Sequence, residues 1–239
     1  MTTTRTSNNA TLTVRPLDVL GIELRGFLCH SMLCDEFDAR SDVNERTRIR
    51  VAHMRPPMAT ESFRCNVVSG IALTERERAK IRRFVERFRT EMLANAKQLE
   101  LAPYDPPQTL PSEPKYLIHP ERLTPRAGST LWSFSCVGFV ISAYRNGRIT
   151  LLSPNRPLKT LEDLKMLYPD SADELDDPDK RAEYLPEGGD SWPVALAGYL
   201  FNAFNRSDGE VRQTPFQPEP GDEFFPSQRS LSVPLPTAQ

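Results

Sequence analysis

The chain has 239 residues, of which 38% are hydrophobic and 26% are charged, a composition typical of a folded protein and incompatible with wholesale disorder. Its 30 Lys and Arg residues nearly balance 32 Asp and Glu residues, so no global basic field favours nucleic acid as a partner. Proline outnumbers glycine, 22 to 11, and no glycine-rich phosphate-binding fingerprint occurs. We therefore expect neither a nucleic-acid partner nor a cofactor.

The expected location is cytoplasmic, with no membrane span. The first residues lack the cationic and apolar regions of a secretory signal, and the longest apolar stretch, residues 194–204, is too short to cross a bilayer. In a reducing compartment the four cysteines are expected to be thiols. Together with histidines at 30, 53 and 119 they match no zinc-ligand spacing, so no metal is expected.

The N-terminal half predicts a small sheet. Residues 1–15 are rich in Thr, Ser and Asn and are expected to be disordered. The apolar pattern over residues 19–37 then predicts one or two strands. A charged connection leads to a second apolar run at residues 49–54, which suggests a hairpin, and residues 65–73 predict a third strand.

A long amphipathic helix is predicted over residues 74–101. Thr74 and Glu77 have the spacing of a capping box, and the apolar residues that follow recur at helical spacing. Those residues are Ile81, Phe84, Val85, Phe88, Met92, Ala96 and Leu99. Seven prolines then occur between residues 103 and 128, so this segment is expected to be a loop and the best candidate for a lid.

Serines precede Cys136, apolar residues follow it, and Asn146-Gly147 ends the run, a pattern that predicts a buried helix with Cys136 at its N-terminal end. Residues 158–167 and 193–205 predict two further helices. The expected organisation is a disordered start (1–15), one domain (16–206) and a Pro-rich disordered tail (207–239). The predicted fold class is α+β, with a small, mostly antiparallel sheet packed against the long helix and the Cys136 helix.

A thiol at a helix N-terminus has the electrostatic surroundings of a nucleophile. Unpaired backbone N–H groups and the helix dipole favour the thiolate, which is the reactive form. The other interpretation is that Cys136 is a buried structural cysteine. The histidines elsewhere in the chain, which could act as a base, favour the catalytic interpretation.

The segment Ser135-Cys136-Val137-Gly138-Phe139-Val140 resembles the nucleophile helix of the NlpC/P60 papain-like cysteine hydrolase superfamily. The upstream residues resemble its circularly permuted branch, which includes the lecithin retinol acyltransferase-like proteins and in which the histidine precedes the cysteine. The matching strand segments are His30-Ser31-Met32-Leu33 and Val51-Ala52-His53-Met54, and the matching loop contains Tyr104-Asp105. The likeness covers roughly residues 20–168.

The resemblance implies a papain-like fold and a thiol-dependent hydrolase that cleaves a peptide, amide or ester bond. Cys136 would be the nucleophile, His30 its base, and His53 the residue that orients His30. The sequence also allows Glu61 or Asn66 in that orienting role. Oxyanion stabilisation and substrate positioning would come from the Cys136 backbone N–H, Tyr104 and Ser135.

Two other functions remain open from the sequence. A papain-like scaffold without catalysis could bind a protein partner through the Pro-rich loop or the tail. A lipid-directed thiol acyltransferase is the second alternative. The residues around Cys136 differ from the Asn-Cys-Glu-His box of the acyltransferase-like proteins, and no membrane-anchoring segment is evident, so this alternative is the less favoured.

Overall fold

A computed structural model describes residues 4–5, 12–24, 27–35, 41–43, 48–54, 58–65, 67–101, 136–169, 172–178, 181 and 189–224. The predicted loop at 103–128 and the last residues of the tail, 225–239, lie outside the described residues. So do three of the candidate site residues, Asn66, Tyr104 and Ser135.

The main sheet has six strands in the order β1-β8-β3-β4-β6-β7, and all neighbouring pairs are antiparallel. Its strands are β1 (Thr4–Arg5), β3 (Val19–Leu24), β4 (Phe27–Cys34), β6 (Arg48–Met54), β7 (Met58–Arg64) and β8 (Val67–Ser69). Two small ribbons pair β2 (Leu12–Val14) with β5 (Ser41–Val43), and β9 (Lys159–Thr160) with β10 (Ser191–Trp192). The predicted hairpin is confirmed, because β4 pairs with β6 across the charged connection.

Six helices occur in the described residues. They are α1 (Glu75–Leu101), α2 (Cys136–Asn146), α3 (Leu161–Leu167), α4 (Ala172–Asp176), α5 (Ala197–Phe204) and α6 (Asp208–Gln213). The capping box at the start of α1 is confirmed: the Thr74 N–H donates to Glu77 Oε2 at 2.7 Å, and the Glu77 N–H donates to Thr74 Oγ1 at 3.3 Å. The antiparallel sheet and these helices confirm the α+β class.

Apolar side chains pack on both faces of the sheet, as the alternation of residues along β4 illustrates. Leu28 and Leu33 join the large core between the sheet and the helices, whereas Met32 and Cys34 join a smaller cluster on the opposite face. Side chains at alternate strand positions lie on the same face, so Ser31 faces the helices as Leu33 does. The first turn of α2 meets β4 at this position.

A buried carboxylate fastens α1 to the sheet. Asp35 follows β4 and is 4% exposed. It forms ion pairs with Arg89 of α1 and with Arg50 of β6, the latter at 3.2 Å from Nε to Oδ2. Buried charges need such partners, and these two hold the helix and two strands in a fixed relation.

The first part of the C-terminal segment, which was expected to be a disordered tail over residues 207–239, is folded. Residues 208–213 form α6, and the peptide groups around Phe216 bond to those of Leu151 and Ser153. Glu223 is buried and accepts a 2.7 Å hydrogen bond from Lys159 Nζ. The folded region therefore extends to at least residue 224. The sequence suggested disorder because the segment is polar, but its polar groups find partners in the core.

The expected disorder of residues 1–15 is also wrong where these residues are described. Thr4 and Arg5 pair with Val68 and Val67 at one edge of the main sheet, and β2 pairs with β5. Strand β7 was not predicted. Its polar residues fit an edge strand, which has only one neighbour and tolerates exposed side chains.

Candidate functional site

A β-bulge lies beside His30. In the β3–β4 ladder Ile22 pairs with His30 and Glu23 pairs with Leu28, which leaves Cys29 as the extra residue of β4. Bulges change the direction of side chains and increase local twist, and they are common next to functional sites. The regular alternation of β4 is therefore interrupted next to the residue predicted to act as the base.

The two predicted histidines are in direct contact. His30 Nε2 and His53 Nδ1 lie 2.7 Å apart, and the ring centroids are 5.0 Å apart at an interplanar angle of 82°. The β4–β6 register accounts for this contact, because Leu33 pairs with Ala52 and His53 is therefore the diagonal neighbour of His30. His53 is 1% exposed, and the Phe63 ring packs 5.6 Å from it, which shields the pair from water on that side.

Helix α2 is described from Cys136 onward, so Cys136 is its first described residue. The helix is buried from Val137 to Tyr144 because it packs against α1, β4 and α5. Two ring contacts fix its orientation: Phe139 with Phe84 of α1 at 5.8 Å, and Tyr144 with Phe204 of α5 at 5.1 Å. This packing holds the N-terminal end of α2, and with it the Cys136 side chain, against β4.

The Cys136 thiol contacts His30 and Ser31 of β4. Burial raises the pKa of the thiol, but the charge of His30, the hydrogen bond to its imidazole and the neighbouring N–H and hydroxyl of Ser31 together outweigh burial. The pKa falls from its ordinary value of 9.0 to about 7. A large fraction of thiolate is therefore present near neutral pH.

The other cysteine with a shifted pKa behaves in the opposite way. Cys65 is 4% exposed in the smaller apolar cluster, and burial raises the pKa of its thiol to about 12 although a backbone hydrogen bond acts against burial. No charged partner compensates for burial among the causes of that shift. The contrast indicates that the neighbours of Cys136, rather than burial of a thiol as such, lower its pKa.

The structure thus brings together Cys136, His30 and His53, the three residues predicted to be catalytic. Glu61 lies on β7 opposite Val51 of β6, but its side chain is outside the described part of the chain, as are Asn66, Tyr104 and Ser135. Of the candidates for the orienting role, His53 is the one whose contact with His30 the structure describes, and the roles of all these residues stay predictions.

Ser31 contacts the thiol but was not singled out from the sequence. A polar residue among the apolar side chains of β4 was a signal, since Ser31 occupies a position that faces the core. Its contact with Cys136 depends on how α2 docks onto β4, which local patterns do not reveal.

Within the described ranges, no group of three or more His, Cys, Asp and Glu residues is arranged to hold a metal ion. Among the same residues, no helix is long and apolar enough to cross a bilayer. No protein-family model, no curated protein and no solved structure matches the chain.

Proposed function

We propose that the protein is a thiol-dependent hydrolase of the papain-like type, which cleaves a peptide, amide or ester bond through Cys136 and His30. The observation that carries this proposal is the contact between the Cys136 thiol and the His30 imidazole, which acts with Ser31 against burial to lower the pKa of the thiol to about 7. A structural cysteine needs no such partner, and Cys65 in the same protein has none among the groups that shift its pKa.

The first step is attack by the thiolate on a carbonyl carbon. The proton of Cys136 has moved to His30, so sulfur supplies the electron pair for the new carbon–sulfur bond. The carbonyl oxygen then carries a negative charge. In this proposal the backbone N–H of Cys136, the first described residue of α2, donates to this oxygen.

His30 then returns its proton to the leaving amine or alcohol as the carbon–nitrogen or carbon–oxygen bond breaks. The acyl group remains on sulfur as a thioester. In the second step His30 removes a proton from water, and the resulting attack releases the carboxylic acid and regenerates the thiol. The two steps together consume one water and need no oxidant, metal or cofactor.

His53 supports His30 as a neutral acceptor. Because Nε2 of His30 faces Nδ1 of His53, the other ring nitrogen of His30, Nδ1, is left for the thiol. When His30 is protonated, its Nε2–H donates to Nδ1 of His53, whose own proton then lies on Nε2. A neutral imidazole fixes the ring and the tautomer, but it stabilises the imidazolium less than a carboxylate would.

The resemblance to the permuted NlpC/P60 proteins supports the same assignment. In both, a histidine comes first along the chain, followed by a second polar residue on a strand, a long helix and then the cysteine. The antiparallel sheet with α2 packed on it is compatible with a papain-like scaffold. The substrate class is set by the chemistry of a thiolate attack, which requires an activated or positioned carbonyl. The protein would act on peptide, amide or ester substrates.

The test is trapping of the acyl-enzyme. The protein is mixed with p-nitrophenyl acetate, quenched in acid, digested and analysed by mass spectrometry. We expect one acetyl group on the peptide that contains Cys136, and none on this peptide in Cys136→Ala. Acetylation spread evenly over several cysteines, or equal p-nitrophenol release by the variant, would refute the proposal. Ser142→Ala, a buried serine further along α2, is the matched control and should acylate normally.

A further inference from the structure

Ser31 is a fully buried polar residue at the base of α2. Its exposed fraction is 0%, and its hydroxyl has no hydrogen-bond partner of normal geometry. Buried hydroxyl groups in proteins are almost always bonded, so one without a partner needs an explanation. In an otherwise apolar core, a buried hydroxyl without a hydrogen bond costs free energy of folding that an alanine at the same position would not cost.

The packing beside Ser31 is close on the β3 side. Ser31 is paired across the ladder with Gly21, and residues paired in this way lie on the same face of a sheet. The Phe201 ring of α5 covers Gly21 so closely that a Cβ added there would lie 2.6 Å from Cζ of the ring. The Phe201 ring therefore packs directly against the sheet next to Ser31, and α2 contacts β4.

The Cys136 sulfur is the group that Ser31 can serve. Both the backbone N–H and the hydroxyl of Ser31 lie near enough to the thiol to lower its pKa. A neutral thiol is a weak acceptor, which fits the lack of a well-formed bond to the hydroxyl. A thiolate is a charged acceptor, and charge-assisted bonds are shorter and stronger. The hydroxyl thus gains its partner when Cys136 ionises.

We propose that Ser31 belongs to the nucleophile site, where its hydroxyl donates a hydrogen bond to the Cys136 thiolate and holds the sulfur beside His30. This inference rests on the proposed function, because it assumes that the thiolate is the working form of Cys136. It adds a second donor to the one that His30 supplies. No covalent step is involved, since Ser31 keeps its proton throughout.

Among the described residues, the groups that shift the pKa of the thiol are His30 and Ser31, both of β4. Strand β4 contributes His30, and β6 contributes His53, which acts through His30. Helices α1 and α5 meet α2 through aromatic rings, in the contacts of Phe84 and Phe204. A change in the titration of Cys136 after substitution of Ser31 would therefore report the lost donor.

The experiment compares Ser31→Ala with Ser142→Ala. Ser142 is 4% exposed and its hydroxyl also lacks a partner, but it lies six residues along α2 from Cys136, about 9 Å away along the helix axis. Each full-length variant is treated with iodoacetamide between pH 5 and pH 10, and the rate of Cys136 alkylation is read by mass spectrometry. Thermal unfolding is measured in parallel.

In Ser31→Ala we expect the midpoint of the pH profile to rise by about one unit, equivalent to a roughly tenfold loss of thiolate below the midpoint. The backbone N–H at position 31 and the imidazole of His30 remain in this variant, so the midpoint should stay below the ordinary value for a thiol. At pH 5, where the thiol is neutral, the melting temperature should be unchanged or higher, because an unpartnered buried hydroxyl is removed. Ser142→Ala should leave the midpoint unchanged.

An unchanged midpoint in Ser31→Ala, or an equal shift in both variants, would overturn the role of Ser31 while leaving the proposed function intact. A profile of the unsubstituted protein with its midpoint near that of an ordinary thiol would refute the proposed function and this inference together. A midpoint in Ser31→Ala equal to that of the unsubstituted protein, combined with slower acylation by p-nitrophenyl acetate, would also overturn the proposed role of Ser31. The hydroxyl would then act on the substrate instead of the thiolate.

Discussion

Removal of the His30 imidazole should convert Cys136 into a poorly ionising thiol. The imidazole supplies two of the effects that lower the pKa of this thiol, its charge and its hydrogen bond, against the burial that raises it. Without it, the neighbouring N–H and hydroxyl of Ser31 are left to oppose burial. We therefore expect the pKa to return to the ordinary value of 9.0 or to exceed it.

The size of the effect follows from the thiolate fraction. At pH 6 a thiol with a pKa of about 7 is roughly one-tenth ionised, whereas a thiol with a pKa of 9.0 is about one-thousandth ionised, a difference of ~100-fold. The more basic thiolate is intrinsically about 6- to 10-fold more nucleophilic, given a Brønsted slope of ~0.4–0.5. Alkylation of Cys136 at pH 6 should therefore be about tenfold slower without His30.

The assay is iodoacetamide alkylation of the native protein across pH, resolved by peptide mass spectrometry so that each cysteine is read separately. His30→Ala removes the side chain, and His30→Gln keeps its approximate size and polarity but cannot take the proton. Both should move the midpoint of the profile from about 7 to 9 or above. Ser142→Ala should retain the profile of the unsubstituted protein.

Two results would refute this reasoning. A midpoint near 9 in the unsubstituted protein would mean that Cys136 is not activated. A midpoint that stays near 7 in both His30 variants would mean that a group other than His30 lowers the pKa of the thiol.

The remaining predictions concern His53, Cys65 and the ion pair of Glu77 with Arg212. His53→Ala should lower kcat for ester hydrolysis by about 10- to 100-fold, whereas His53→Asn, whose amide oxygen can accept from His30, should recover part of the loss; equal losses would argue against an orienting acceptor. Cys65 should resist alkylation below pH 9, because burial raises the pKa of its thiol to about 12; labelling as fast as that of Cys136 would contradict this. Burial acts to raise the pKa of Glu77, but its hydrogen bonds with Arg212 and Thr74 lower the pKa overall, so its contribution to stability is present above about pH 4.5 and is lost as the pH falls through the lower folded value. Glu77→Gln should therefore reduce the free energy of unfolding by about 1 kcal/mol at pH 7 and by much less at pH 3, as measured by urea denaturation; an equal reduction at both values would refute the electrostatic origin.

The elements that the sequence predicted well are those defined by local patterns. Helix α1 begins after Thr74 because the capping box and the apolar repeat are encoded within a few residues of one another. Helix α2, described from Cys136 to Asn146, was predicted for a similar reason, since its apolar run is continuous and short. The β4–β6 hairpin also follows from two neighbouring apolar runs.

The elements that the sequence did not predict depend on distant partners. Strand β1 exists because Thr4 and Arg5 pair with β8, more than sixty residues away in the chain. The C-terminal segment is held by Lys159, which bonds to Glu223 across 64 residues. Neither segment has an apolar periodicity of its own, so composition alone suggested disorder.

The candidate site shows the same division. A histidine on a strand and a cysteine at a helix start could be predicted, because each has a recognisable local context. The contact of Ser31 with Cys136 could not be predicted, since it depends on the register of β4 against β3 and on the docking of α2. The bulge at Cys29 and the contact between His30 and His53 are likewise properties of strand pairing.

Steady-state turnover tests the central claim most directly. The protein is supplied with a large excess of p-nitrophenyl acetate at pH 7, and p-nitrophenol is counted per protein molecule in comparison with Cys136→Ala and His30→Ala. The account predicts release well beyond one equivalent that both substitutions abolish. Release that stops at one equivalent, or that continues in Cys136→Ala, would contradict a hydrolase that works through this thiol.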